Sequence, residues 1–330
     1  MDKVSVLVAV HNTACYLPMC LDSLTGQTLR DIQIICVDDA STDDSPAILD
    51  RYAAADSRVE VIHLAENVGM SKARNTALKQ ARGTYVCMLD SDDWYAPDAL
   101  QQAVDVFERH PDTDCVLFRF VLAWERGDTF DLEDYPSKVF DVLSGADACR
   151  LSIDWQIHGI YMVRSDIHHR FPYDDTSMVY SDENTTRLHY AVSRKVRCCQ
   201  GAYYYRQHQQ SETHRVSVRR FDKLKAKESL MQQLSDVGVG FDARSVLTNQ
   251  LWLALIDLYM FYFVHKKELS RAEADYGFSE LRRVWSTIDR SLLSPTVVRK
   301  FGYWPMPSWR LFCIQEWLYF TLRGLLGKNN

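Results

Sequence analysis

Tyr85-Val86-Cys87-Met88-Leu89-Asp90-Ser91-Asp92-Asp93-Trp94 is the stretch on which the fold turns. Five mostly apolar residues run without polar alternation into three carboxylates and a tryptophan. Such a run reads as a strand buried on both faces, as in a parallel sheet. Three acids at the end of a buried strand repel one another and lose hydration, which raises their proton affinity. A divalent cation relieves both. Carboxylates at i and i+2 can face one hard ion, and Mg2+ or Mn2+ takes one or two carboxylates and fills its shell with phosphate oxygens. Asp90 and Asp92 are therefore read as the seat of a metal–diphosphate complex. The competing reading is a solvated turn or a helix cap, since Asp suits both.

Working outward, the first 125 residues alternate strand and helix signals. Val4–Val10 is a strand, broken by His11-Asn12-Thr13. Tyr16, Leu17, Cys20, Leu21 and Leu24 recur at helical spacing. Ile32–Val37 is a second strand ending in Asp38-Asp39. Pro46 suits the first turn of a helix that runs to about Ala55. Val59–Leu64 is a third strand, Gly69–Ala81 a helix, Pro97–His110 another helix, and Cys115–Trp124 a fifth extended run. Short loops between alternating elements imply a mostly parallel sheet with helices on both faces. Ligands of such sheets bind beyond the carboxyl ends of the strands. His11-Asn12, Asp38-Asp39 and the Asp90–Asp93 acids all sit at those ends, and this convergence favours the metal reading.

Composition narrows the classes. The chain has 330 residues, enough for one large or two modest domains, and is 47% hydrophobic and 25% charged. A net charge of −6 argues against a nucleic-acid partner held on a broad basic surface. Nine cysteines with no C-x-x-C, and an N-terminus leading directly into a strand, suggest free thiols in a reducing cytoplasm. Val246–Val264 is the most apolar long window, but it contains Asn249, Gln250 and Asp257 and reads as a buried core helix rather than a bilayer span. No Gly-x-Gly-x-x-Gly follows the first strand and there is no Gly-Lys-[Ser/Thr], which argues against a Rossmann dinucleotide site and excludes a P-loop. The phosphate contact falls instead to Asn67-Val68-Gly69-Met70-Ser71-Lys72-Ala73-Arg74-Asn75. There Gly69 permits close backbone approach, and Lys72 and Arg74 occupy the first turns of a helix. A solvated basic helix face is the alternative.

In this order and spacing, Val4–Asn12, Val37-Asp38-Asp39-Ala40-Ser41-Thr42-Asp43, Asn67-Val68-Gly69 with Ala73-Arg74-Asn75, and Leu89-Asp90-Ser91-Asp92-Asp93 resemble the family-2 glycosyltransferases of the GT-A fold. The resemblance is tight over residues 1–125 and looser over 150–215. It implies inverting transfer of a sugar from a nucleotide-sugar, UDP-linked in most relatives, with Mg2+ or Mn2+ as cofactor. It implies that Val10, His11 and Asn12 lie under the nucleoside and that Asp39, with Asp38 beside it, meets the base. Asn67, Gly69, Lys72 and Arg74 would flank the nucleotide and diphosphate. Asp90, Ser91 and Asp92 would form the Asp-x-Asp site, with Asp92 the direct metal ligand. Ala40 stands where the family more often has Gly, and Val8-Ala9-Val10-His11-Asn12 departs from its usual Pro-x-Tyr-Asn.

The same resemblance implies a base for the acceptor hydroxyl, the second acid of a Glu-Asp pair before a helix. Here the order is reversed, Asp182-Glu183. Position favours Glu183 and residue type favours Asp182; Ser181 or Asp182 acting merely as a helix cap is the structural alternative. Tyr203-Tyr204-Tyr205-Arg206-Gln207-His208 resembles a loop that closes over the donor, which would bring Arg206 and His208 to phosphate or metal. Trp155 and Tyr161 fall in an acceptor-side aromatic segment.

These expectations divide the chain into a catalytic region, 1–215, with a donor half (1–125) and an acceptor half (126–215), and a helical region, 216–330. In the latter Leu224, Leu230, Leu234, Leu247, Leu251, Leu255 and Leu258 recur at helical spacing. The tail from Trp309 to Leu326 is apolar nearly all round, and residues 295–330 carry five Lys/Arg against one Glu. Two readings of residues 308–326 stay open, and one is a peripheral contact with the inner face of the plasma membrane, which would suit a lipid-linked acceptor. The other, which the apolar all-round pattern favours slightly, is a helix docked on the catalytic domain or a homodimer contact. A nucleotidyltransferase and a catalytically silent nucleotide- or sugar-binding module remain the other functional classes.

Overall fold

The computed structural model describes residues 2–127, 129–176, 182–207 and 216–327, the side chain of Asp182 excepted. The chain divides into two compact units, residues 1–175 with 185–210, and residues 176–184 with 211–330.

In the first unit, β1 (Val4–Val10), α1 (Leu17–Thr25), β2 (Ile32–Asp38), α2 (Ser45–Ala55), β3 (Val59–His63), α3 (Met70–Leu78) and β4 (Tyr85–Met88) follow in strict alternation. After them come β5 (Trp94–Tyr95), α4 (Ala99–Arg109), β6 (Cys115–Arg126), β7 (Thr129–Asp134), β8 (Val142–Ser144), α5 (Gly145–Ile153), β9 (Tyr161–Arg164), α6 (Ser165–Arg170), α7 (Asp182–Val192), which belongs to this unit from Thr185 on, and β10 (Lys195–Gln207). Ten strands form one sheet in the order β3-β2-β1-β4-β9-β6-β10-β5, with β7 added to β6 and β8 to β10. Strands this apolar leave no face for water. Val4, Val6, Val8 and Val10 point to a cluster with Leu17, Leu21, Leu49 and Leu100, while Leu7 packs with Ile35, Ala73, Ala77 and Val86 on the other side. The helices therefore cover both faces, as the alternation requires.

Only half of the sheet is parallel as expected. The pairs β3–β2, β2–β1, β1–β4 and β6–β10 are parallel, but β9 lies antiparallel between β4 and β6, and β5, β7 and β8 also pair antiparallel. Short connections explain part of this: β6 returns through a tight hairpin as β7, which only an antiparallel pair allows. The helix expected to reach Ala81 ends at Leu78, because Gln80 and Ala81 donate to carbonyls three residues back and tighten the last turn ahead of Gly83.

The strand order places β2 and β4 on opposite sides of β1. The chain winds outward to β3 and then returns across β1. This is the switch point of an open α/β sheet, where neighbouring carboxyl-end loops part and leave a crevice.

The second unit is helical: α8 (Asp222–Val237), α9 (Ala243–His265), α10 (Arg271–Thr287) and α11 (Trp309–Leu325). Among the described residues α9 is the helix long and apolar enough to cross a membrane, yet 56% of its most apolar window is buried within the protein. Leu251, Trp252, Leu255 and Ile256 form the centre of the core, and Trp252 Nε1 donates to the Tyr303 carbonyl at 3.0 Å. α10 begins with a reciprocal capping box between Ser270 and Glu273. α11 turns Phe312 and Phe320 into the same core.

Candidate functional site

The acids after β4 are held by the sheet itself. Asp93 is fully buried, which removes it from the solvated turn that its residue type would allow. Its Oδ2 accepts from the Tyr203 hydroxyl at 2.6 Å, and its Oδ1 accepts from the Arg206 backbone N–H at 2.8 Å. The Tyr203 oxygen in turn accepts from the Asp90 N–H at 3.3 Å. Ser91 Oγ accepts from Thr13 Oγ1 at 2.9 Å, which ties the loop to the end of β1. Asp93 therefore serves as the anchor of the loop. Burial, with the Asp92 and Asp90 carboxylates close by, pushes the Asp93 proton affinity well up. Burial pushes Asp90 up as well, although the Arg74 guanidinium pulls it back. A cation placed here would reverse both tendencies.

α3 supplies the counter-charge. Arg74 is 2% exposed and forms an ion pair with Asp90, while its guanidinium lies 5.5 Å from the Tyr173 ring centroid. The next residue, Asn75, clamps the same segment, donating to the Tyr173 carbonyl at 2.9 Å and accepting from the Tyr173 N–H at 2.8 Å. Lys72 stands exposed one turn earlier. Gly69 opens the helix at φ 87°, a conformation that suits glycine. There the Val68 and Gly69 N–H groups donate to Asp39 at 2.7 and 2.9 Å.

The two acids after β2 divide their labour. Asp38 accepts from the Ser41 N–H at 3.0 Å and meets His63 Nδ1 at 3.0 Å. Burial alone would raise its carboxyl, but these contacts outweigh it and hold it low. Asp38 thus shapes the loop, and Asp39 reaches across to the start of α3. Asn67 Nδ2 also lies 3.4 Å from the Asp39 carbonyl. Val10 is buried, and its carbonyl accepts from the Asp39 N–H at 2.8 Å. One tautomer of His11 satisfies both of its neighbours, with Nδ1–H donating to the Asp39 carbonyl at 2.8 Å and Nε2 accepting from Asn12 Nδ2 at 3.1 Å. Asn12, itself at φ 55°, accepts from the Thr42 N–H. The loops after β1 and β2 therefore form one hydrogen-bonded floor.

Arg206, at the end of β10, is 4% exposed at its side chain. It donates from Nε to the Asp92 carbonyl at 2.8 Å and pairs with Glu125. The rings of Tyr16, Trp94 and Phe130 surround its guanidinium at 4.9, 5.0 and 5.1 Å. It is held against the backbone of the acidic loop, so its contact with the site runs through Asp92. His208 and Ser181 lie outside the described residues.

On the expected acceptor side, Asp182 and Glu183 open α7, where their backbone belongs to the second unit. The next residue, Asn184, is buried and donates to the Ala226 carbonyl at 2.7 Å. Tyr161 is committed to the interior, its hydroxyl 2.7 Å from His189 Nδ1. Trp155 is 48% exposed and sits at φ 56°, a strained conformation for an aromatic residue, with Arg187 at 5.5 Å over its ring. Because β9 runs antiparallel to β4, the residues preceding Tyr161 lie beyond the carboxyl end of β4, the end that carries Asp90.

Among the described residues no group of three or more His, Cys, Asp and Glu side chains forms a ready-made metal cage. Asp90 and Asp92 fit a different arrangement, in which one or two carboxylates hold Mg2+ or Mn2+ and a diphosphate completes the shell. Sequence reasoning did not find the roles of Tyr203, Glu125, Asn75 and Thr13, and it grouped Asp93 with Asp90 and Asp92 at the end of the strand. The signal for Asp93 is faint: a third acid directly before Trp-Tyr, the start of a strand.

A family model described as glycosyl transferase family 2 matches residues 5–172. An uncharacterized glycosyltransferase, EpsJ of Bacillus subtilis (strain 168), is 43% identical over 107 residues, 32% of this chain and 31% of its own length. Poly(ribitol-phosphate) beta-glucosyltransferase of Bacillus spizizenii is 44% identical over 101 residues, 30% of this chain and 16% of its own. The chain thus spans well under half the length of these relatives. The S. aureus TarS 1–349 crystal structure in complex with UDP-GlcNAc aligns with a TM-score of 0.71 at 18% identity, over 99% of this chain and 92% of that one. At that identity the likeness concerns the fold.

Proposed function

The chain belongs to glycosyl transferase family 2, and from that membership we propose an inverting glycosyltransferase that moves a sugar from a UDP-sugar to a hydroxyl of a glycan or lipid-linked acceptor. The observation that carries this reading is the acidic loop after β4. Asp90 and Asp92 stand at the carboxyl end of a parallel strand, fixed from below through Asp93 and Tyr203. Beside them lies the start of α3, with Arg74 paired to Asp90. The UDP-GlcNAc bound to TarS supports the choice of donor, and the poly(ribitol-phosphate) substrate named for the Bacillus spizizenii relative supports an acceptor in surface polysaccharide or cell-envelope synthesis. The free cysteines suit a reducing cytoplasm.

In this reading residues 1–215 form the catalytic region and 216–330 the helical region. Asp39, with Asp38, His11, Asn12 and Val10 as its floor, receives the nucleoside. Gly69, Asn67 and Lys72 line the diphosphate. Arg206 positions Asp92 by gripping its carbonyl. Mg2+ or Mn2+, held by Asp90 and Asp92, would supply positive charge to the departing diphosphate. Arg74 balances Asp90 and adds its own charge at that place. The acceptor oxygen attacks the anomeric carbon, the bond from that carbon to the diphosphate oxygen breaks, and the acceptor proton passes to Glu183, with Asp182 the alternative base. One displacement inverts the configuration.

Turnover of a UDP-sugar by Asp92→Ala and by Glu183→Gln tests the assignment. The expected loss is roughly 100-fold or more in each, in line with removing a charge-stabilising group or a general base. Near-normal turnover in both would show the assignment to be wrong.

A further inference from the structure

The second unit exposes a surface that the transfer reaction does not use. α11 buries Phe312, Glu316 and Phe320, each at most 1% exposed. On its other side Leu311, Ile314, Trp317, Leu318, Leu322 and Leu325 stand 43 to 80% exposed. Steps of three and four residues place these side chains on one continuous stripe. The Phe301 and Trp304 rings, 5.4 Å apart and 37% and 43% exposed, widen it. They join the flank of the helix where Phe301 meets Tyr319 at 5.9 Å and the Trp304 carbonyl accepts from Gln315 at 3.2 Å. Single exposed leucines are ordinary, but a contiguous patch of this kind marks an interaction surface.

The charge around the patch indicates what covers it. Arg299, Lys300 and Arg310 are exposed, and Arg323 rests 5.7 Å from the Tyr319 ring. The only acid between residues 295 and 327 is Glu316, and it is buried. Every exposed charge of this region is therefore positive. An apolar stripe bordered by tryptophan and cations matches the boundary between acyl chains and anionic headgroups. A second copy would instead bring two positive rims together across a self-complementary contact, which opposes the pairing.

We propose that α11 and the 301–304 segment dock the protein onto an anionic lipid surface. Leu318 and Leu322 enter the acyl boundary, Trp304 and Trp317 lie at headgroup level, and Arg299, Lys300 and Arg310 meet lipid phosphates. The inference stands on the second unit alone and does not depend on the transferase reading.

Flotation of the full chain with phosphatidylglycerol-containing vesicles, against pure phosphatidylcholine vesicles, tests it, together with sedimentation velocity in the absence of lipid. The protein should float with the anionic vesicles, and less so at high salt. The double substitution Leu318→Glu/Leu322→Glu should lower the bound fraction by roughly tenfold or more, from the apolar area lost to the bilayer. Both side chains are exposed, so its circular dichroism and melting temperature should match the parent. Arg310→Glu should weaken binding to the anionic vesicles alone. Failure of the parent chain to float with anionic vesicles would overturn the proposal, as would equal flotation of the double variant. So would a dimer in sedimentation that the double variant splits into monomers.

Discussion

At Ala40 the backbone adopts φ 54°, in the left-handed region where a Cβ crowds the following carbonyl. The family more often has glycine here, and the geometry supplies the reason. Ala40→Gly relieves the crowding but adds freedom to the unfolded chain. The net effect expected in thermal denaturation is between no change and a gain of about 1 kcal/mol; a loss of that size would contradict the strain. Tyr203 offers a sharper test. Tyr203→Phe leaves Asp93 Oδ2 and the Asp90 N–H without the hydroxyl they share. Stability should fall by about 1–2 kcal/mol, and KM for the donor should rise more than kcat falls, because the loop is misplaced rather than stripped of its acids. A kcat loss with unchanged KM would sink the positioning role. Residues whose chemistry is local, such as Asp38, Asp39, Asp90 and Asp92, were legible in the sequence as charged ends of apolar runs. Asp93 was not, since its partner Tyr203 lies 110 residues away. Arg206 was legible as a residue of interest, but its commitment to Glu125 and the Asp92 carbonyl was not.

Among the elements, the strands of the parallel half could be read nearly to the residue, because an unalternated apolar run has sharp polar borders. The direction of β9 could not, since four residues carry no mark of which neighbour they will meet. Helix α11 shows the same limit. Its sequence is apolar nearly all round, and only packing decides that Phe312, Glu316 and Phe320 turn inward. Glu316 makes this packing measurable. Burial raises its carboxyl from the ordinary 4.5 to about 8, with the Gln315 contact opposing only in part. Between those values the folded protein keeps a proton that the unfolded chain releases. Stability is therefore greatest below the lower value, declines as pH rises through the window, and levels off above about 8. Glu316→Gln should flatten that decline and raise the melting temperature at pH 8 by an amount worth a few kcal/mol, with little change at pH 4.5. Parallel melting curves for the two proteins across the window would contradict the burial of an ionisable carboxyl.

For the whole molecule, the arrangement of the strands matters more than any one motif. Because β2 and β4 flank β1, the loops bearing His11, Asp39 and Asp90 reach a common edge although they are separated by up to 79 residues in sequence. That edge is where a nucleoside diphosphate and a cation could share one site, and the account depends on their doing so. The direct measurement is calorimetric titration of UDP into the protein with and without Mn2+, repeated with Asp92→Asn. UDP should bind at least roughly tenfold more tightly with Mn2+, as expected for a diphosphate that completes a metal shell, and Asp92→Asn should abolish that difference. Equal UDP affinity with and without Mn2+, unaltered by the substitution, would contradict a cation-bridged donor.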